Sequence, residues 1–587
     1  MKYRFFAALA ALLFAFPVAV DAAPLMPGEP AAAPKVSPVP RLRLERGETA
    51  SRARLAPVSP EELAAVRDRN ASRTALENRQ QRLTVGLARP ASAEALAAAA
   101  FDWKPVPGGS AARVALTSPE AGSVRLAIDL AGVPRDVEMV FFGSHDPSRL
   151  EGPIKVGDIA DRTVPWWSPL TEGDTQTVEI FVPSKHSAAD LPLVVVGASH
   201  LFTTPSSRFA KRVQDIGDAG ACNVDLACSP LASDAAFRNA ANSVAQMVFN
   251  DAGFTVLCTG TLLADGDAAT QAPWLYGANH CFENEDAPYK TAAQMQAVAN
   301  TLNTLWGFEA GACNSQSARS GWTQLAGGAT FVHNDVASDV LFLRLNSAPP
   351  AGAFYSGWDA NPLSAGNGVV SAHHPLGDLK KVTQGSVVRF SSPGVANANA
   401  SYVETRWSSG TTESGSSGAG IWTSAGGQYY FRGGLWGGAA SCGNLSGADY
   451  FSRFDQAYPA LARYLGSGAA PAADYTDLWW NPGESGWGLN LVQHPSRVIF
   501  GVWFTYEADG TRTWYVMPSG SWTSSNTYAG PLYATLGPPF TSQFDPKSVE
   551  VRQVGNATLT FSGADNGTFA YTVDGVSGTK SITRQPF

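Results

Sequence analysis

All six cysteines of this 587-residue chain fall between positions 222 and 442. Cys222, Cys228, Cys258, Cys281, Cys313 and Cys442 therefore outline one stapled domain, running from about residue 213 to 465, inside a longer chain. An even, clustered set of cysteines reads as a disulfide framework made in an oxidising compartment. The spacing lacks the paired knuckles of a zinc site, so no metal and no cofactor are expected. Six cysteines admit on the order of 15 pairings, and their spacing alone selects none. A chain of this length is too long for one domain, and three or four are expected.

The start of the chain carries an address. Lys2 and Arg4 precede an apolar run from Phe5 to Val20, and Ala22-Ala23-Pro24 supplies small residues for cleavage. That is the pattern of a secretory signal peptide over residues 1–23. The run is shorter than the roughly 20 residues that span a bilayer. A secreted, extracellular protein follows, in agreement with the disulfide reading. Only 16% of residues are charged, the net charge is −8, and no Lys/Arg block suggests a nucleic-acid groove. Abundant Gly, Ser, Thr and aromatic residues suit a mainly β protein.

Residues 24–57, rich in Ala, Pro and Arg, read as a flexible lead. Ser59-Pro60-Glu61-Glu62 is a helix start, with a cap, a first-turn proline and first-turn acids, and predicts a helix over about 59–82. Between about 101 and 203, runs such as Val124–Leu130 and Thr177–Val182 alternate or cluster apolar residues between Gly and Pro turns. They predict a β-sandwich-like unit. His145, His186 and His200 are scattered there and read as ordinary histidines. Residues 466–474 form a Gly/Ala/Pro linker. From Tyr475 to Phe587 the chain predicts a separate all-β module, with Trp479, Trp480, Trp487, Trp503, Trp514 and Trp522 crowded into its first part. Asp509-Gly510 and Asn566-Gly567 are expected as its turns.

Within the cysteine-rich domain, three short segments supply an imidazole, a carboxylate and a hydroxyl: Asn279-His280-Cys281, Ser338-Asp339-Val340 and Gly415-Ser416-Ser417-Gly418. These are the groups that nucleophilic acyl transfer needs. Ser417 would attack, His280 would carry its proton, and Asp339 would orient the imidazole. The Gly415 and Ser417 N–H groups would form an oxyanion hole. Each segment alone has an ordinary reading as linker, structural histidine or turn acid. A Cys258–Cys281 bridge would fasten the histidine loop to the preceding strand, and Ile421-Trp422 beyond Ser417 argues against a linker.

Here the sequence resembles the trypsin-like serine proteases, and most of all the bacterial lysyl endopeptidases. The matching text is Cys222–Cys228, Leu257–Leu263, Ala278–Cys281, Ser338–Leu345, His373–Pro375, Gly415–Gly418, Leu435–Gly438 and Ser441-Cys442, within about 213–465. The resemblance implies two six-stranded antiparallel β-barrels with the active site between them. It also implies the pairings Cys222–Cys442, Cys228–Cys313 and Cys258–Cys281. It makes Leu435, Trp436 and Gly437 the edge that pairs with an extended substrate. Where trypsin carries its pocket acid, six positions before the nucleophile, this chain has Thr411. Lysyl endopeptidases place the acid after the last cysteine, and Asp449 matches that position. A carboxylate ending a narrow pocket would pair with a Lys ammonium and leave uncharged side chains unrewarded. Two departures bear on Lys against Arg preference: Trp436 stands where these relatives carry a His, and Ala419-Gly420 where they carry Ser-Pro. His373-His374 is expected to be structural rather than metal-binding.

By the same resemblance, residues 24–212 are a propeptide that aids folding and inhibits the site, making the chain a zymogen. The expected protein is a monomeric secreted serine endopeptidase acting on proteins or peptides after Lys, without a cofactor. The alternatives are a broader Arg/Lys or other preference, or a non-catalytic surface-binding protein on a protease scaffold. A metalloprotease reading lacks any His-Glu-x-x-His helix. The tryptophan-rich module is a candidate for polysaccharide or cell-surface binding, against the ordinary reading of its rings as core. Lys211-Arg212 marks the expected maturation cut, with a mature start near Val213. N-terminal sequencing of secreted protein should therefore read from just beyond Arg212; a start upstream of residue 180 contradicts it.

Overall fold

The computed structural model describes residues 25–32, 39–45, 50–71, 82–91, 96–204, 217–266, 270–283, 288–392, 397, 399–465, 473–493, 498–518, 520–539, 541–545 and 548–586. The expected signal peptide, Lys211-Arg212, Val213 and most of the 466–474 linker lie outside them.

The cysteine-rich region is built from two sets of six antiparallel strands. The second set is a closed barrel: Gln428–Gly438, Gly420–Ala425, Gly368–His373, Lys381–Ser391, Tyr402–Ser409 and Ala448–Ser452, the last pairing back onto the first. The first set runs Asn303–Trp306, Val244–Asp251, Phe254–Leu263, Trp274–Ala278, Val340–Leu345 and Ala329–Asp335. Its two end strands do not pair among the described residues, and the helix Ala292–Ala299 packs against Ala329–Asp335. From this helix Gln296 donates to the Ala329 carbonyl and accepts from the Phe331 amide. A capping box between Thr291 and Gln294 starts the helix. The connector Ala353–Asp359 joins the two sets. Ser356 exchanges backbone bonds with Leu262 and Ala264 of the first, and Gly357-Trp358 pairs in parallel with Tyr430-Phe431 of the second.

The region before it is a two-sheet sandwich. One sheet holds Gly109–Thr117, Thr175–Pro183, Glu138–Gly143 and Glu151–Lys155; the other holds Ser123–Asp129 and Val194–Leu201. Val114, Leu116, Leu126, Ile128, Val178 and Ile180 fill the space between them. The second sheet does not stop at the sandwich. Strand Leu83–Pro90 pairs with Val194–Leu201 on one side and with Phe254–Leu257 on the other, so one continuous sheet crosses into the cysteine-rich region.

Of the expected helix over 59–82, residues 72–81 lie outside the described residues. The helix is described over Pro60–Ala71, started by a Ser59–Glu62 capping box, and Arg82 leads directly into a strand. The alternation of Leu83, Val85 and Leu87 was the signal for a strand, whose other face is buried as well at Thr84 and Gly86. The flexible reading of 24–57 fails in part. Leu25-Met26 and Glu29-Pro30 pair with the connector, and Ser51–Arg54 pairs with Val114–Thr117. Pro27 and Pro30 are tolerated because an edge strand can forgo amide donors.

The junction is cemented by burial. Val66, Leu83, Val85, Leu201 and Phe202 share one apolar cluster with Val248, Leu257, Leu305, Phe308 and Trp322. Two arginines cross it. Buried Arg125 donates to the Val248 and Thr301 carbonyls and to Asn250, and loss of solvent pulls its pKa down. Arg82 pairs with Asp251 at 2.7 Å and donates to the Cys281 carbonyl at 3.1 Å.

The last region is an eight-stranded up-and-down barrel from Asp477–Trp480 to Val576–Arg584, closed through a Val516–Tyr533 pair and with a short ninth strand, Ser521–Ser524, at its edge. Trp479, Trp503 and Trp522 lie inside it, whereas Trp514 is half exposed beside Phe504. Asn566-Gly567 opens a strand instead of forming a turn; that hairpin turns at Asp574-Gly575, both at positive φ.

Replacing Arg82 by Met should strand a buried carboxylate. We expect a loss of about 3 kcal/mol, the low end for a broken buried pair, because Lys290 still reaches Asp251 at 3.1 Å. Denaturant unfolding of the full chain reads this; an unchanged midpoint contradicts it.

Candidate active site

Strand Trp274–Ala278 runs into a single helical turn, Asn279–Phe282, which carries His280. Asp339 precedes strand Val340–Leu345 in the left-handed region, at φ +57°. Asp tolerates that conformation better than most residues. The turn aims the Asp339 carboxylate at His280 twice: Oδ1 accepts from the backbone amide and Oδ2 from Nδ1, each at 2.8 Å. The Asp339 carbonyl also accepts from the Asn279 amide at 3.1 Å. Bonding to a carboxylate places the proton on Nδ1, so neutral His280 presents a lone pair at Nε2. That nitrogen is buried and has no hydrogen-bond partner among the described residues. Burial raises the Asp339 pKa against the pull of His280.

Ser417 sits in a turn between Gly415 and Gly418, at φ +93° and +84°. Strand Phe254–Leu263 of the first strand set holds this turn. The Thr259 amide donates to the Ser417 carbonyl at 2.8 Å, and its hydroxyl donates to the Gly415 carbonyl at 2.9 Å. A Cβ on Gly418 would stand 2.9 Å from the Ala278 amide nitrogen and closer still to the Thr259 carbonyl, so a side chain there would collide. The neighbouring Cys258 is bonded to Cys281, and the Cys281 sulfur lies 4.0 Å from the Ser417 carbonyl. Two further bridges, Cys222–Cys442 and Cys228–Cys313, complete the cysteine set.

Amides within the turn are used unequally. Ser416 N–H donates to the Glu413 carbonyl and Gly418 N–H to the Leu435 carbonyl. The amides of Gly415 and Ser417 make no such bond among the described residues. The turn is braced from beneath by a pair the sequence did not reveal: Ser416 Oγ lies 2.8 Å from His373 Nδ1, both fully buried. Desolvation pulls the His373 pKa down to about 3, which keeps the ring neutral. His374 bonds the Asp378 carbonyl through Nδ1. The two adjacent histidines therefore have separate partners, and no cluster among the described residues is suited to a metal.

Asp449 is fully buried in strand Ala448–Ser452. Its Oδ2 accepts from the Trp407 indole N–H and the Thr412 hydroxyl, each at 2.6 Å. Its Oδ1 has no hydrogen-bond partner of good geometry and lies where a Cβ on Gly438 would stand. Desolvation raises its pKa to about 6, with Thr412, Trp407 and the Ala440 amide acting against it. Thr411 is buried beside this group, but Thr412 is the threonine that touches it. Trp407, Thr412 and Gly438 were missed. The Gly437-Gly438 pair within a strand was the available signal, whereas the Trp407 contact spans neighbouring strands.

Leu435 spends its amide and carbonyl on Ala419 and Gly418. The ladder then skips Trp436, pairing Leu435 with Phe451 and Gly437 with Tyr450. Freed by that bulge, Trp436 stacks on Tyr402 at 4.8 Å and meets Tyr450 edge-on.

Comparisons with known proteins show the family to which the chain belongs. Residues 216–452 match the family profile "Lysyl endopeptidase, C-terminal domain", and residues 54–202 match "Lysyl endopeptidase N-terminal domain". A lysyl endopeptidase of Pseudomonas aeruginosa PAO1 is 35% identical over 399 residues, covering 65% of this chain and 81% of that protein. Among solved structures, the inactive mutant form of Rv3671c from M. tuberculosis H37Rv aligns at 15% identity over 41% of this chain and 94% of that one. Its TM-score of 0.25 is too low to carry weight.

Changing Ser416 to Ala should leave His373 without its partner. A loss of about 1–3 kcal/mol is expected, read as a lower unfolding midpoint; no change would show that the pair does not brace the turn.

Proposed function

From a chain that belongs to the lysyl endopeptidase family, and is therefore a peptidase, we infer a secreted serine endopeptidase that cuts after lysine. The observation that carries the serine reading is the buried His280–Asp339 pair, with Nε2 unpartnered and the Ser417 turn stapled to the same strand as Cys281. In this reading the Ser417 hydroxyl oxygen attacks the carbonyl carbon and its proton passes to His280 Nε2. Asp339 holds the Nδ1 proton and offsets the charge of the imidazolium. The oxygen that becomes negative accepts from the Gly415 and Ser417 amides, the two donors left unused in the turn. A preorganised donor of this kind is worth about 2.7–4 kcal/mol in the transition state. Collapse expels the amine, which takes the proton from His280, and water then releases the acyl group by the same relay.

Asp449 supports the lysine preference. A buried carboxylate with one oxygen held by Trp407 and Thr412 and the other unpartnered over Gly438 is a site short of one cation. A lysine ammonium would satisfy it, and an uncharged side chain would leave the desolvation cost uncompensated. Asp449→Asn should lower kcat/KM for Lys substrates by roughly 30-fold to several thousand-fold, the equivalent of the about 2–5 kcal/mol for removing one partner of a buried charge pair. Peptides differing only in the residue before the cut test this, with Ser417→Ala as the inactive control. Undiminished Lys cleavage by the Asn variant would refute the pocket, and cleavage surviving in Ser417→Ala would refute the mechanism.

The raised pKa adds a pH signature. Below about 6 the Asp449 carboxyl is neutral, above it ionised, while an alkylammonium stays charged throughout. Competitive inhibition by a simple primary alkylamine should therefore weaken about tenfold per unit as pH falls below 6. The Asn variant should lose that dependence; a flat profile in the wild type would contradict it.

A further inference from the structure

The connector Ala353–Asp359 is the joint between the two strand sets, and its outer edge is covered by residues from the far end of the chain. Leu25 and Met26 pair antiparallel with Asp359 and Trp358, and Glu29 and Pro30 with Tyr355 and Phe354. The Ala31 amide donates to the Ala353 carbonyl at 3.0 Å. The Gln271 side chain then clamps the end of the segment, accepting from the Ala32 amide at 2.7 Å and donating to the Pro30 carbonyl at 3.0 Å.

Side chains make this contact selective. Met26 packs against the core of the first strand set and also against the apolar cluster shared by both sets. Gly28 meets Gly357 backbone to backbone. A Cβ on Gly28 would stand 2.6 Å from the Gly357 amide and 2.8 Å from the Tyr355 carbonyl, and would overlap the Phe354 ring. The segment Leu25–Ala32 lies outside residues 54–202 and 216–452, the two stretches that match known domains, whereas the connector lies within the second.

We propose that the outer edge of Ala353–Asp359 is a peptide-binding site whose ligand is this chain's own Leu25–Ala32 segment, and that its occupation fixes the two strand sets relative to each other. The connector already bonds to Leu262 and Ala264 on one side and to Tyr430-Phe431 on the other. The docked segment adds the strand that closes its remaining edge, the mode by which extended peptides augment a sheet. The recognised pattern is an extended peptide with an apolar side chain two positions before a glycine. His280 and Asp339 belong to one strand set and Ser417 and Asp449 to the other, so a joint held in one setting also sets the width of the cleft. This grip is separate from the Leu83–Pro90 strand at Phe254–Leu257, so the segment before the cysteine-rich region holds it at two independent places.

Hydrogen exchange read by mass spectrometry tests the proposal in the full-length chain, carrying Ser417→Ala to stop self-cleavage. The Ala31 amide should exchange slowly in that parent. Adding Gly28→Val should speed exchange across 353–359 by about tenfold or more, as expected when a covering strand is lost, while Phe254–Leu257 stays protected. Met26→Ser, which creates no clash, should give a smaller change at the same residues and is the variant to read if Gly28→Val loses protection throughout. Free exchange at Ala31 in the parent, or unaltered exchange at 353–359 in both variants, would overturn the proposal.

Discussion

Strand Phe254–Leu263 is the member on which the rest of the structure depends. Its first four residues take the incoming strand Leu83–Pro90. Cys258 is bridged to Cys281, beside the histidine. Thr259 holds the carbonyls of Gly415 and Ser417, and Leu262 bonds the connector between the two strand sets. Ten consecutive residues thus tie together the leading sandwich, the histidine turn, the serine turn and the joint. Within a strand these ties are separated by a few ångströms of stiff, fully bonded backbone. A shift at any of them is therefore felt at the others.

The site is organised by what is left unsatisfied. In a buried setting most polar atoms find a partner, and each exception calls for an explanation. His280 Nε2 and Asp449 Oδ1 are such exceptions, and both lie between well-bonded neighbours. Around them the structure uses neutral supports: Thr259 under the serine turn, Ser416 and His373 behind it, Trp407 and Thr412 under the carboxylate. Neutral braces add no competing charge in a low-dielectric cleft, where a misplaced ion would cost more than it fixed.

Sequence legibility followed the range of the interactions. His280, Asp339 and Ser417 stood out because three short segments together supply an imidazole, a carboxylate and a hydroxyl. The mainly β architecture was visible in alternating apolar runs. What escaped depended on partners distant in sequence. Leu83–Pro90 was assigned no element, because its partners lie far off in sequence at 254–257 and 197–201. The Leu25–Ala32 strap was hidden by its prolines, which argue against a central strand but not against an edge. Trp407 lies 42 positions before Asp449 and reaches it only across adjacent strands, so no local pattern announces it.

The central claim is that Ser417 is a nucleophile activated by His280. A fluorophosphonate forms a covalent ester only with such an activated hydroxyl, and digestion with mass spectrometry locates the adduct. The account predicts one phosphonyl group per chain, on Ser417, absent from Ser417→Ala and strongly slowed in His280→Ala. An adduct on another residue, or none in protein that still cleaves peptides, would contradict it.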